Sequence, residues 1–195
     1  MKAFTLDTNC IVALDDETRA ERKSVIAIIE AGKEGRIDVA MVASSAAEKQ
    51  MTGTYLGSIE DFKKRMAKLG LEHVGLLKPI ATFGMTFFDH AIYPTEAQLG
   101  LQTRIFETLF PSTLASWAKH AADLGQSPED TDTPAGVKWR NKFLDAQAMW
   151  GHINYGRDVF VTSDANFARR FKSSEEFQHV VIATPGEAVE TLTKI

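Results

Sequence analysis

The sequence predicts an α/β fold: a three-layer α/β/α sandwich around a central, mostly parallel sheet, with a helical subdomain inserted in its middle. Three observations lead there. Short apolar runs of strand length recur at Ala3 to Leu6, Asp38 to Val42, Val159 to Val161 and Val180 to Ile182. Segments with helical apolar spacing separate them, and this alternation is the mark of a parallel sheet covered by helices on both faces. The alternation fails only between about residues 56 and 136, where the content turns mostly helical.

Taken in order, Ala3 to Leu6 is a strand stopped by the polar turn Asp7-Thr8-Asn9, and Cys10 to Leu14 and Val25 to Ile29 follow with helical spacing. After the second strand, Ser44-Ser45 has the chemistry of a helix N-cap, placing Glu48 in the first turn of the next helix. In the middle stretch, Ser58 to Leu69, Glu96 to Leu109 and Ser112 to Leu124 read as amphipathic helices. Pro79, Gly84 and Pro94 punctuate residues 76 to 93, which match no regular period, and Ser127 to Gly136 reads as a polar loop returning to the sheet. A helix with the packing stripe Trp139, Phe143, Ala146, Gln147, Trp150 and Ile153 leads into the third strand and leaves Asp145 on its flank. Thr162-Ser163-Asp164 then turns the chain into a short helix from Asn166 to Phe171, and Pro185-Gly186 opens a last helix over Glu187 to Leu192.

With 195 residues, 44% of them apolar, one domain carrying an insertion can bury a sizeable core. The N-terminus lacks the apolar run of a secretion signal and no stretch is long enough to span a bilayer, so a cytoplasmic protein without a membrane partner is expected. The single cysteine, Cys10, excludes an internal disulfide. A formal net charge of -4 does not advertise a nucleic-acid binder, but basic residues gather locally in Lys63-Lys64-Arg65 with Lys68, in Lys138-Arg140-Lys142 and in Arg169-Arg170-Lys172.

Ligands of open parallel sheets bind beyond the carboxyl ends of the strands, where loops and helix N-termini converge. Asp7, Glu48 and Asp164 all fall there, and Asp145 can face the same cleft from its helix flank. Carboxylates brought this close repel each other and either take up protons or recruit a cation. Mg2+ or Mn2+ suits such hard oxygen donors, and one or two ions can activate water for in-line attack on a phosphodiester. Asn9 is placed to hydrogen-bond Asp7, Thr162 to orient Asp164 or the attacking water, and Ser44 or Ser45 to act near Glu48. Asn166 reads as a turn or capping residue. The five histidines show no H-x-x-x-H spacing, which excludes a simple zinc motif.

These residues resemble the PIN-domain family, which includes the toxin ribonucleases of toxin-antitoxin pairs. The resemblance rests on Phe4-Thr5-Leu6-Asp7-Thr8-Asn9, on Asp145-Ala146-Gln147-Ala148 opening a helix, and on Val159-Phe160-Val161-Thr162-Ser163-Asp164-Ala165-Asn166-Phe167 about 14 residues later. It implies Mg2+ or Mn2+ dependence and endonucleolytic cleavage of RNA. By motif it carries Asp7, Asp145 and Asp164 over as catalytic and metal-binding residues. Glu48 takes the place of the mid-chain acid, a position that has no sharp signature and for which Glu30 and Glu34 also offer themselves. An antitoxin protein and a homodimer are partners implied by the family alone. The matching segments cover roughly the first 55 and last 60 residues, and the long middle departs from the compact toxins.

Two other readings stand beside this one. A phosphatase using Asp7 as nucleophile, as in haloacid-dehalogenase-like proteins, needs a second acid where this chain has Asn9. A non-catalytic PIN-like module for RNA or protein binding needs none of the acids.

Overall fold

The computed structural model describes residues 1–47, 58–129 and 131–192. The chain forms a five-stranded, all-parallel sheet with helices on both faces, a three-layer α/β/α sandwich. Strands β1 (Ala3–Leu6), β2 (Asp38–Val42), β3 (Gly75–Leu77), β4 (Val159–Val161) and β5 (Ile182–Ala183) lie in the order β3-β2-β1-β4-β5. Register is tight at the centre, with Leu6 opposite both Met41 and Val161.

Helices α1 (Thr8–Asp15), α2 (Arg22–Lys33), α3 (Ile59–Lys68) and α8 (Pro185–Leu192) cover one face. Helices α4 (Glu96–Leu109), α5 (Trp117–Asp123), α6 (Pro134–Asn154) and α7 (Ala165–Lys172) cover the other. Strand alternation sorts the side chains between them. Phe4, Leu6, Val39, Met41, Val159 and Val161 pack under the first group, while Phe160 packs with Trp150, Phe167 and Phe171 under the second. Right-handed crossovers require this division, because the chain moves one way across the sheet from β1 to β3 and the opposite way from β3 to β5. The strand order therefore reverses between β1 and β4, and the two diverging connections leave a crevice at their carboxyl ends.

Helix α6 is the long brace of the second layer. Thr133 caps it by accepting from Gly136 N at 3.1 Å, and Pro134 stands in its first turn, where a missing N–H costs nothing. Gly136 is obligatory, because a Cβ there would run into the Thr131 carbonyl. Gly151 lets the helix settle onto β2: a Cβ would come within 2.5 Å of Val42 Cγ2. Beside it, His152 Nδ1 and Thr5 Oγ1 lie 3.1 Å apart, a buried polar pair between α6 and the central strand. At the amino end of the sheet, the half of the molecule away from the crevice, Arg157 donates to the Phe4 and Asp38 carbonyls at 2.7 and 2.8 Å and pairs with Asp38 Oδ2 at 2.7 Å.

Several expectations need correction. Ser44 and Ser45 do not cap a helix; they lie inside a single 3-10 turn, Ala43–Ala47, and both are buried. The middle stretch, mostly helical as expected, also contributes the edge strand β3, whose three residues are too few to carry a period. Residues 112 to 124 form turns before α5 begins at Trp117. The loop over 127 to 136 ends at Thr133, and β5 starts at Ile182, two residues later than its apolar run. Asp145-Ala146-Gln147-Ala148 lies in the middle of α6, not at its opening. Glu48 lies outside the described residues. Among the described residues, no helix is long and apolar enough to cross a membrane.

Candidate functional site

Asp7 is the first residue beyond β1, held in register by its N–H, which donates to Val161 O of β4 at 3.0 Å. It is 5% exposed and caps α1, with Oδ1 accepting from Thr8 N at 2.7 Å. Oδ2 accepts from Asn9 Nδ2 and from Thr162 Oγ1, each at 2.7 Å. Thr162 is the residue after β4, so the adjoining strand ends are stitched together through side chains as well as backbone. Asn9 completes a ring by donating to Thr162 Oγ1 at 2.8 Å, while its Oδ1 accepts from Ser163 N at 3.3 Å.

The network runs on to Asp164. Its N–H donates to Thr162 Oγ1 at 3.0 Å, and its carboxylate caps α7 by accepting from Asn166 N at 2.8 Å. Asn166 donates through its side chain to Leu109 O at 3.3 Å, tying the start of α7 to the end of α4, and accepts from Arg169 at 2.9 Å. Asp7 is buried and Asp164 exposed, so the pair grades from interior to solvent. Burial pushes the Asp7 carboxyl up from 3.8 to about 6, against the hydrogen bonds from Thr162 and Thr8, and the negative charge of Asp164 adds to the rise. Cys10, directly below, has its thiol pushed up by the same burial and remains an uncharged core residue.

Asp145 stands half-buried on α6. Its height follows from the pairing of His152 with Thr5. Seven residues of helix lead back from His152 to Asp145, about 10 Å, and two residues of strand lead from Thr5 to Asp7, about 7 Å. Helix α6 runs opposite to the strands, so Asp145 reaches the carboxyl-end level of the sheet. On the β2 side, Thr8 Oγ1 donates to Ser45 Oγ at 2.6 Å, and Ser44 Oγ is buried with no partner among the described residues.

The structure thus brings Asp7, Asn9, Thr162 and Asp164 into one hydrogen-bonded unit and sets Asp145 at the same end of the sheet. Among the described residues, no group of three or more His, Cys, Asp and Glu side chains stands together as a metal site, and Glu48 is outside them. The chemistry of the donors nevertheless fits a hard divalent cation: all are oxygens, and the one most buried carries a raised pKa that a cation would reverse. Sequence reasoning missed the Thr8–Ser45 bond, which joins residues 37 positions apart and has no local signal. It also missed His152, which packing places against Thr5; burial and the Arg157 charge lower its pKa to about 4. Of the basic runs, the first is largely spent on ion pairs, Lys63–Glu60 and Lys64–Asp61 within α3 and Arg65–Asp15 to the end of α1. The run on α7 begins one turn beyond Asp164. Comparison with protein-family models, with curated proteins and with solved structures gives no match to this chain.

Proposed function

We propose that the protein is a metal-dependent endoribonuclease of the PIN kind, with Asp7, Asp164, Asp145 and Glu48 as its acids and Mg2+ or Mn2+ as its cofactor. The observation that carries this reading is the Asp7–Thr162–Asp164 unit at the reversal of strand order, the place where open parallel sheets bind ligands. Asp7 and Asp164 would hold the cation, joined by Asp145 and Glu48. When bound, such an ion neutralises phosphate charge and acidifies water. Asn9 and Thr162 fix the Asp7 carboxylate in one orientation and saturate its inner oxygen with donors. Asp164, exposed at the mouth, is the acid that water and phosphate meet first. Arg169, one turn along α7, offers a positive group to the strand's phosphates. In the reaction a water oxygen would bond to phosphorus and release a proton, the bond to the departing sugar oxygen would break, and that oxygen would take up a proton in exchange.

The test is Mn2+-dependent cleavage of single-stranded RNA. Asp7→Asn is expected to lose about 100-fold or more in kcat, on the scale of removing one group aimed at transition-state charge. Equal inertness of both proteins across several RNAs, with binding retained, would instead favour the non-catalytic module, the reading that gains from the absence of a three-carboxylate group among the described residues. A small antitoxin and a second copy of the chain are the expected protein partners; co-expression with the neighbouring small gene product should relieve growth inhibition by the wild type and leave Asp7→Asn cells unaffected.

A further inference from the structure

Residues 78–93 follow the carboxyl end of β3, and therefore emerge at the same end of the sheet as Asp7 and Asp164. Their start is pinned to α6 by Gln147, which donates to Ile80 O at 3.2 Å and accepts from Ile80 N at 3.0 Å, two residues along the helix from Asp145. Between this segment and helices α4 and α6 lies a cavity of about 380 Å³, in the range of small-ligand sites. Its floor is apolar, with Phe106 and Phe143, and Thr82 and Gln102 are among its polar groups. Gln102 is 7% exposed, yet its side-chain amide makes no hydrogen bond among the described residues. Most of the residue is buried, while the amide itself keeps access to solvent, so its oxygen and NH2 are both available to a ligand. At the rim stands Phe83, 90% exposed, its ring centroid 6.5 Å from that of half-exposed Phe88. Large aromatic rings are held in water here without any core to serve.

We propose that this cavity receives one unstacked base of the single-stranded substrate, with Phe83 stacking on the strand at the rim and the Gln102 amide hydrogen-bonding the edge of the inserted base. The proposal rests on the nuclease reading for its substrate. An amide presents a donor and an acceptor side by side, the pattern that base edges complement, and base recognition in single strands combines such contacts with aromatic stacking. A duplex keeps its bases stacked and paired, and so is refused. Helix α4, which lines the cavity, is tied at its end through Leu109 O to the side chain of Asn166, whose N–H is capped by the Asp164 carboxylate, so one helix links the cavity to that acid.

Binding is measured by fluorescence anisotropy in a metal chelator, using labelled eight-nucleotide oligo(A) and oligo(U) and an RNA duplex of equal length. Gln102→Leu and Phe83→Ala are each expected to weaken single-strand binding about tenfold or more and leave duplex binding unchanged. Phe83 lies outside the core, so its removal tests the idea even if Gln102→Leu misfolds. Gln102→Glu, which retains only acceptors, should change the preference between the two oligomers. Affinities within twofold of wild type for both Gln102→Leu and Phe83→Ala overturn the proposal. The same variants with Mn2+ separate the two readings. Asp7-dependent cleavage with unchanged KM in both variants sinks the cavity and keeps the nuclease. Gln102-dependent binding by a protein that cleaves nothing keeps the cavity and sinks the nuclease.

Discussion

Asp7 and His152 are buried ionisable groups whose shifts oppose each other. Folded Asp7 titrates near 6 against 3.8 in an open chain, so the native state holds the extra proton between those values. Its stabilising contribution is full below 3.8 and is lost as pH rises through 6, a change of about 3 kcal/mol. His152 has the opposite sign: its folded value near 4 lies below the ordinary 6.5, so its contribution is full above 6.5 and is lost as pH falls through 4, again about 3 kcal/mol. Across pH 4 to 6 the two slopes nearly cancel in the wild type. Asp7→Asn should therefore gain stability relative to wild type as pH rises from 4 to 7, and His152→Gln should gain as pH falls over the same range. Urea unfolding at four pH values reads both differences, and pH-independent differences would show that neither group titrates as the burial argument requires.

At the scale of elements, the site depends on how closely α6 approaches the sheet. Its height is set where His152 meets Thr5, and its distance where Gly151 meets Val42. Gly151→Ala places a methyl group in space that Val42 already fills, and overpacking of this type costs about 1–3 kcal/mol. Val42→Ala should recover at least half of that loss when combined with it, because the two changes meet at one contact. Denaturation of the two single variants and the double variant measures the coupling; simple additivity would show that α6 adjusts elsewhere. The same spacing carries Asp145 and, through Gln147, the start of the segment over the cavity. The proposed RNA cleavage should fall in Gly151→Ala along with its stability.

For the whole molecule, the crevice is electrostatically unfinished. An acid buried beside another carboxylate destabilises the folded chain at neutral pH, and a bound divalent cation would remove that penalty. Thermal unfolding at pH 7 should shift upward with Mn2+ or Mg2+ in the wild type, by about 2.7 kcal/mol at a hundredfold excess over the Kd. Asp7→Asn should show little of this shift. Equal stabilisation of both proteins would place the cation elsewhere on the surface.

Much of this was legible in one dimension. The strands over Ala3–Leu6, Asp38–Val42 and Val159–Val161 and the helix over Glu96–Leu109 emerge with their boundaries intact, because apolar runs, periodicity and caps such as Thr95–Gln98 are local signals. So do Asp7 and Asp164, each announced by a polar turn that ends a strand. What the sequence by itself determined is the alternation of strand and helix, and with it the end of the sheet at which Asp7 and Asp164 stand. Only the tertiary structure decided that β1 and β4 are neighbours, that Thr162 bridges Asp7 to Asp164, that His152 faces Thr5, and that Gln102 lines the cavity beside α6. Each of those facts pairs residues far apart in the chain or depends on how distant elements pack, and side-chain burial and strand order are settled by packing and crossover handedness, which leave no local trace.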